Sequence, residues 1–133
     1  MNIKEIGAML YLCEGSKIRK EKGRWNRRRI ELCNSNPHII KGFLKYLRTK
    51  QIDESHLKAR LALHYGDNEA LAKTLWSVFT SIPTKDFGKT QWRKQSSNRH
   101  NRLEYGTITI RYYDAQLFRV IMEDIKETIA KLY

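Results

Sequence analysis

One carboxylate in this chain sits where a helix does not favour it. Residues 6–16 read Ile-Gly-Ala-Met-Leu-Tyr-Leu-Cys-Glu-Gly-Ser, an apolar helical run that ends in an acid followed by a glycine. Asn2 caps the run, and Glu5 three residues later completes an Asn-x-x-Glu capping box. Ile3, Ile6, Leu10 and Cys13 recur at helical spacing, and Gly15 falls where a left-handed residue would close the helix. Glu14 therefore stands at a helix C-terminus, where the negative end of the macrodipole opposes a carboxylate by about 0.3–1 kcal/mol unless a cation compensates. A bound divalent metal is such a cation.

The other chemistry-bearing residue types narrow the choice. The four histidines, at positions 38, 56, 64 and 100, show no ligand spacing, which argues against zinc. His100-Asn101 lacks the His, Asp or Cys partners that an HNH nuclease requires. Cys13 and Cys33 lie far apart at patterned apolar positions and read as reduced core thiols. By contrast the chain carries 26 Lys and Arg against 14 Asp and Glu, a net charge of +12 over 133 residues. That excess points to a polyanionic partner, nucleic acid before a membrane surface. No apolar run approaches the roughly 20 residues of a spanning helix, and no signal-peptide pattern is present. The expected location is an intracellular, reducing compartment, cytoplasmic or nucleoid-associated.

The elements that must position these residues alternate along one expected domain, 1–133. Residues 17–20, a turn at 21–23 and residues 24–34 read as a β-hairpin, with Ile30 and Leu32 on one face and Trp25, Arg27, Arg29 and Glu31 on the other. Eight of the thirteen residues at 17–29 are basic. Two-stranded ribbons fit the major groove, where Lys and Arg contact phosphates and Arg reads guanine by a bidentate pair. Asn34-Ser35-Asn36-Pro37 opens a helix over 37–50 with Ile39, Ile40, Phe43, Leu44 and Leu47 as its apolar stripe and Lys41, Lys45 and Arg48 wet. A strand over 57–65 turns Leu57, Ala59, Leu61, Leu63 and Tyr65 inward and Lys58, Arg60, Ala62 and an exposed His64 outward.

Asp67 then caps a helix over 68–81 whose core stripe is Ala70, Leu71, Leu75, Val78, Phe79 and Ile82, with Trp76 at its edge and Pro83 as its stop. A final hairpin pairs 87–95 with 105–114. Lys89, Gln91, Arg93 and Gln95 share a face, as do Thr107, Thr109, Arg111 and Tyr113, with Ile108, Ile110 and Tyr112 opposite. The polar, basic residues 96–102 join the two strands. A helix over 115–132 buries Leu117, Val120, Ile121, Ile125 and Ile129. The predicted fold is α+β, an antiparallel curved sheet with helices on one face, in the order α-β-β-α-β-α-β-β-α. Its bare face is basic.

Residues 7–16 resemble the signature helix of the LAGLIDADG (dodecapeptide) homing endonucleases, in the variant that ends in Glu-Gly-Ser. Residues 34–47, Asn-Ser-Asn-Pro-x-x-Ile-x-x-Phe-x-x-Tyr-Leu, resemble the segment that follows the first hairpin in many of them. In that family two signature helices pack side by side and the acid at the foot of each holds metal ions, while a curved sheet saddles the duplex. Glu14 falls on the acid, Gly15 on the terminal glycine and Cys13 on the small residue before it. Met9 departs from the pattern's small residue, and Leu12 replaces its first acid.

The resemblance implies a site-specific, Mg²⁺-dependent endonuclease of double-stranded DNA with one motif per chain. A homodimer then supplies the second acid, through an interface of Ile6, Gly7, Ala8, Leu10 and Cys13. Glu14 and Gly15 of both subunits would hold a shared two-metal site with ions roughly 3.5–4 Å apart, and Lys89, Lys94 and Gln91 would surround the attacking water. The expected DNA contacts are Lys17, Arg19, Lys22, Arg24, Trp25, Arg27, Arg29, Lys58, Arg60, Arg93, Arg99, Arg102 and Arg111. Two other readings stand beside this one: a DNA-binding regulator on the same scaffold with cleavage lost, and an RNA-binding or ribosome-associated basic protein. Retention of Glu14 favours the nuclease.

Overall fold

The computed structural model of the chain describes residues 1–16, 19–21, 24–26, 28–94 and 105–133, with residues 19–21 and 24–26 described in their backbone alone. The described residues form an α+β fold of four α-helices, a four-stranded mixed sheet and a separate two-stranded sheet. In chain order the elements are α1 Ile3–Glu14, β1 Arg19–Glu21, β2 Arg24–Asn26, β3 Arg29–Asn34, α2 Pro37–Arg48, β4 Lys58–His64, α3 Glu69–Thr80, β5 Gln91–Arg93, β6 Thr107–Tyr113 and α4 Ala115–Leu132. Short 3-10 turns at Glu54–His56 and Thr84–Asp86 precede β4 and β5. No described helix is long and apolar enough to cross a membrane.

The larger sheet runs β3-β6-β4-β5. β6 is antiparallel to both neighbours, with Leu32 opposite Ile110 and Ile110 opposite Ala59, so the inward side chains of three strands stack in rows. The expected final hairpin does not form. β5 is three residues long and pairs parallel to the outer edge of β4, Ala62 with Gln91 and His64 with Arg93, while β4 separates it from β6. Helix α3 is the reason: a strand–helix–strand crossover returns the chain in its original direction, which a tight turn cannot do. The expected second strand over 24–34 is likewise two strands. Its first part, Arg24–Asn26, pairs with β1 in the two-stranded sheet, while Arg29–Asn34 pairs with β6 in the larger one.

Helix starts follow the sequence closely. The Asn2 carboxamide oxygen accepts from the Glu5 amide at 2.8 Å, and its nitrogen donates to the Glu5 carboxylate at 3.1 Å, a side-chain variant of the capping box. Asn36 accepts from the His38 amide at 2.9 Å ahead of Pro37, and Asp114 from the Leu117 amide at 2.9 Å. Asp67 does not cap α3. Its carboxylate closes the turn after β4 by accepting from the His64 amide at 2.8 Å, and Asn68 takes the cap. Tyr65 lies in that turn, beyond the strand, and is 59% exposed instead of inward.

Helix α3 is rotated from its expected face, while α4 keeps its expected face except at Val120. In α3 the buried residues are Ala72, Trp76 and Thr80, while Ala70, Leu71 and Val78 are exposed and Leu75 and Phe79 half-buried. Trp76 is central because its indole N–H donates to the Tyr105 carbonyl at 2.9 Å, a partner distant in sequence. In α4 Val120 is exposed, and Phe118, Asp124 and Thr128 join Ile121 and Ile125 inside.

Close helix contact depends on glycine. α1 packs against both α2 and α4, and a Cβ on Gly7 would lie 2.0 Å from Cγ of Tyr46. Gly15 is extended (φ −81°, ψ 158°), not left-handed as expected, and serves for proximity: its Cβ would lie 2.3 Å from the Tyr11 ring. Tyr46 in turn donates its hydroxyl to Asp124 at 2.6 Å, and the Lys50 ammonium meets the same carboxylate at 2.8 Å. Lys4 of α1 stands 3.8 Å away. A buried carboxylate without such donors would cost several kcal/mol, so Asp124 ties α1, α2 and α4 together.

Gly7→Ala is expected to force the Tyr46 ring aside and destabilise the fold by about 1–3 kcal/mol, read as a lower urea midpoint at unchanged m. Burial, and then the hydrogen bond to Asp124, hold the Tyr46 phenol well above the ordinary tyrosine range. The raised pKa means this contribution is complete below the unfolded value of about 10 and declines as pH rises through it. Urea midpoints measured from about pH 9 to pH 11 should therefore fall, and Tyr46→Phe should flatten that dependence while costing about 1.5–3 kcal/mol at neutral pH.

Candidate nucleic-acid interface

Strand alternation sorts the sheet into two chemically distinct faces. Ile30, Leu32, Ala59, Leu61, Leu63, Ile108, Ile110 and Tyr112 are buried under the helices. The outward side chains are Arg29, Glu31 and Cys33 on β3, Thr107, Thr109, Arg111 and Tyr113 on β6, Lys58, Arg60, Ala62 and His64 on β4, and Gln91 and Arg93 on β5. Register lays them in cross-strand rows: Glu31–Arg111–Lys58, then Cys33–Thr109–Arg60, then Thr107–Ala62–Gln91. All are exposed or half-buried. One side of the sheet is thus a polar, net basic surface.

Some of these cations are held by acids. Arg111 Nε meets Glu31 at 2.8 Å and Arg29 Nε meets it at 3.6 Å, while Lys58 reaches Asp86 at 2.8 Å. Such partly exposed pairs stabilise by at most about 1 kcal/mol, and their effect is mainly to orient the side chains. Arg60, Lys89, Arg93 and Lys94 are exposed and carry no ion pair among the described residues. His64 is half-buried, not exposed as expected, and its Nδ1 is enclosed without a hydrogen-bond partner, as is the Thr107 hydroxyl on the same face.

Glu14 ends α1 with no basic residue in the helix's last turn and no hydrogen-bond or ion-pair partner among the described residues. Its position is set from below. The Tyr11 ring, stacked on Phe43 at 5.5 Å, fills the space beneath Gly15. The Tyr11 hydroxyl donates to the Ser16 carbonyl and accepts from the Glu31 amide at 3.3 Å, while the Ser16 amide donates to the Glu31 carbonyl at 2.8 Å. Gly15 bridges to Leu32, so the chain leaving α1 runs beside β3 and Glu14 stands at that margin of the sheet.

The expected companions of Glu14 are elsewhere. Lys89, Gln91 and Lys94 flank or belong to β5, and the order β3-β6-β4-β5 sets β5 three strand spacings, about 14 Å, from β3. They are not brought to Glu14 within one chain. Lys58, Arg60, Arg93, Arg111 and Arg29 do share the outward face. Arg19, Arg24 and Trp25 lie on the β1–β2 ribbon, which is described in its backbone alone, and Lys17, Lys22, Arg27, Arg99 and Arg102 fall outside the described residues. Gly7 and Ala8 are buried against the chain's own core, so that part of the expected dimer interface is corrected. Both cysteines are exposed rather than in the core. Cys13 is exposed on α1, and Cys33 alternates outward from Leu32 on β3.

Comparison with known family models, curated proteins and solved structures finds no match. Glu31 as the clamp of Arg111, and Lys85 and Thr109 near the Lys58–Arg60 strand, were not singled out in the sequence. Cross-strand register brings Glu31 and Thr109 to their neighbours, and the turn at Thr84–Asp86 brings Lys85. Among the described residues no three His, Cys, Asp or Glu side chains converge as a metal site. One chain offers the Glu14 carboxylate, an oxygen donor of the type that hard cations such as Mg²⁺ take.

Proposed function

We propose that this chain is a homodimeric, metal-dependent endonuclease of double-stranded DNA, with a fold of the LAGLIDADG homing endonuclease kind. One observation carries the reading. The outer side of α1 carries the exposed Ile6 and Cys13 with the half-buried Met9 and Leu10, the last packed in part on the core beside Gly42, an i, i+3, i+4, i+7 stripe that Glu14 follows directly. Ile6 is 39% exposed and Cys13 is exposed, because Gly7, Ala8 and Tyr11 occupy the inner side. Two copies joined along this stripe bring two Glu14 carboxylates together beside two basic sheet faces. The interface is accordingly Ile6, Met9, Leu10 and Cys13.

In this arrangement Glu14 of each copy, with the backbone oxygen of Gly15, would hold Mg²⁺. The chemistry such a group supplies when bound is charge stabilisation on the transferring phosphate and activation of water. This chain's own residues do the rest: Arg60 and Arg93 attract the phosphate backbone, Glu31 keeps Arg111 aimed outward, and the Tyr11 contacts keep Glu14 fixed while DNA docks. Lys89, Gln91 and Lys94 are read as backbone contacts and not as partners of the attacking water. That reassignment favours a second reading, a DNA-binding protein on the same scaffold that does not cut, since Glu14 then lacks a nearby proton-transfer partner.

Two experiments test these readings. Glu14→Gln keeps size and removes charge, so Mg²⁺-dependent cleavage of a randomised DNA library should fall by orders of magnitude, while metal-free binding persists or tightens as carboxylate–phosphate repulsion is relieved. Full cleavage by the variant would remove Glu14 from catalysis, and no cleavage by the wild type on any DNA would favour the non-cutting binder. For assembly, a thiol reagent should modify Cys33 readily at all protein concentrations but Cys13 only on dilution. Ile6→Asp should yield a folded monomer with both thiols reactive. A wild type that sediments as a monomer with and without DNA would eliminate the dimer.

A further inference from the structure

We infer that a pocket on the outward face, between β4 and the turn at Thr84–Asp86, binds one phosphate group of the nucleic-acid backbone, with Lys85 and Thr109 as ligands beside Lys58, Arg60 and Arg111. The inference rests on the DNA-binding reading and gives it a specific anchoring point. The pocket is about 250 Å³ and draws its walls from three segments far apart in sequence: Lys58 and Arg60 from β4, Lys85 from the turn, and Thr109 and Arg111 from β6. Two of these four cations, Lys58 and Arg111, are paired with acids, and Arg60 and Lys85 carry no ion pair among the described residues, so the hollow keeps a net positive charge that favours an anion. Among the described residues the only carboxylate in its lining is Asp86, which is engaged with Lys58 at 2.8 Å.

The hollow is built, not incidental. Gly88 donates its amide to the Ala59 carbonyl at 2.8 Å and Phe87 bridges to Ala59, so the turn is bonded to the edge of β4. Phe87 is buried and anchors it from beneath. Arg111 is fixed through Nε by Glu31, which leaves its terminal nitrogens for a ligand. Lys85 and Arg60 are exposed and hold no ion pair among the described residues. Lysine and arginine donors with a threonine hydroxyl form a set suited to a tetrahedral, multiply accepting anion.

The pocket opens among the outward cations of the sheet, the face on which a duplex would lie, and a backbone phosphate can reach it there. Gly15, Leu32, Ile110, Ala59 and Phe87 lie on one cross-strand row. Three strand spacings of about 4.8 Å therefore separate the chain beside Glu14 from β4, about 14 Å in all. That distance matches about four base-pair steps of duplex at about 3.4 Å each. A duplex lying across the face from Glu14 would set a phosphate over the pocket.

The test uses the full chain, a 30-base-pair duplex and inorganic phosphate. Loss of one phosphate contact flattens the plot of log affinity against log salt by about 0.9 and weakens binding about five-fold at 0.15 M salt. Lys85→Ala should show both changes, and Lys126→Ala, an exposed lysine on α4, should show neither. Titrating inorganic phosphate should shift the backbone amide resonances of Gly88 and Thr109 in the wild type and less in Lys85→Ala. If the wild type binds duplex and Lys85→Ala leaves the slope unchanged, the pocket is not a phosphate site and the DNA reading stands. If the wild type binds no duplex but phosphate shifts those amides, the pocket serves a phosphate from another source and the DNA reading fails. Neither duplex binding nor phosphate shifts would overturn both.

Discussion

The contact between Gly7 and the Tyr46 ring governs how the rest of the molecule is arranged. With no Cβ at position 7, the α1 backbone comes against an aromatic ring, and that ring's hydroxyl is bonded to the buried Asp124 of α4. Lys50 and Lys4 complete the surroundings of the carboxylate. One tyrosine thus sets the spacing of three helices at once. Because α1 is held so tightly from within, its outer stripe and Glu14 are displayed at a fixed angle to the sheet. The proposed function requires that angle: a carboxylate on a loosely packed helix would not hold a shared metal site within the tolerance that catalysis needs.

Much of this arrangement could be read from short-range pattern. The capping box at Asn2 and Glu5, the proline start of α2, and the alternation of β4 and β6 all rest on neighbours within a few residues. What could not be read involves partners far apart in sequence. Trp76 turns inward for a carbonyl at residue 105, Asp124 is buried for a hydroxyl at residue 46, and β5 seeks β4 rather than β6. Gly15 was legible as a required glycine for the wrong reason, since its tightness comes from the Tyr11 ring and not from a left-handed backbone. For the site, the sequence pointed to Glu14, Lys58, Arg60 and Arg111. It could not group them with Lys85 and Thr109, because strand order, register and the turn at Thr84–Asp86 decide who is adjacent.

The outward face also shows how a strongly basic chain keeps its charge organised. Glu31 and Asp86 are few against the cations around them, yet each sits where a long side chain would otherwise sweep freely. They lower the local repulsion and restrict rotamers, so less side-chain entropy remains to be lost when a polyanion docks. Arg60 and Arg93 lack such partners among the described residues and remain adaptable. A surface with both fixed and free cations can set register on a backbone and still accommodate its local shape.

Strand β6 is last of the strands in the sequence but second in the sheet, between β3 and β4. Residue 29 finds its partner only at residue 113. During synthesis, at about 5–20 residues per second, β3 and β4 therefore emerge with no strand between them, and the rows of outward cations do not exist until Thr107–Tyr113 has been added. Ladder closure over such a separation is slow and cooperative. A nascent or truncated chain that stops short of β6 carries the basic residues but not the surface, so the capacity to grip a polyanion in register appears in one step, with the finished sheet.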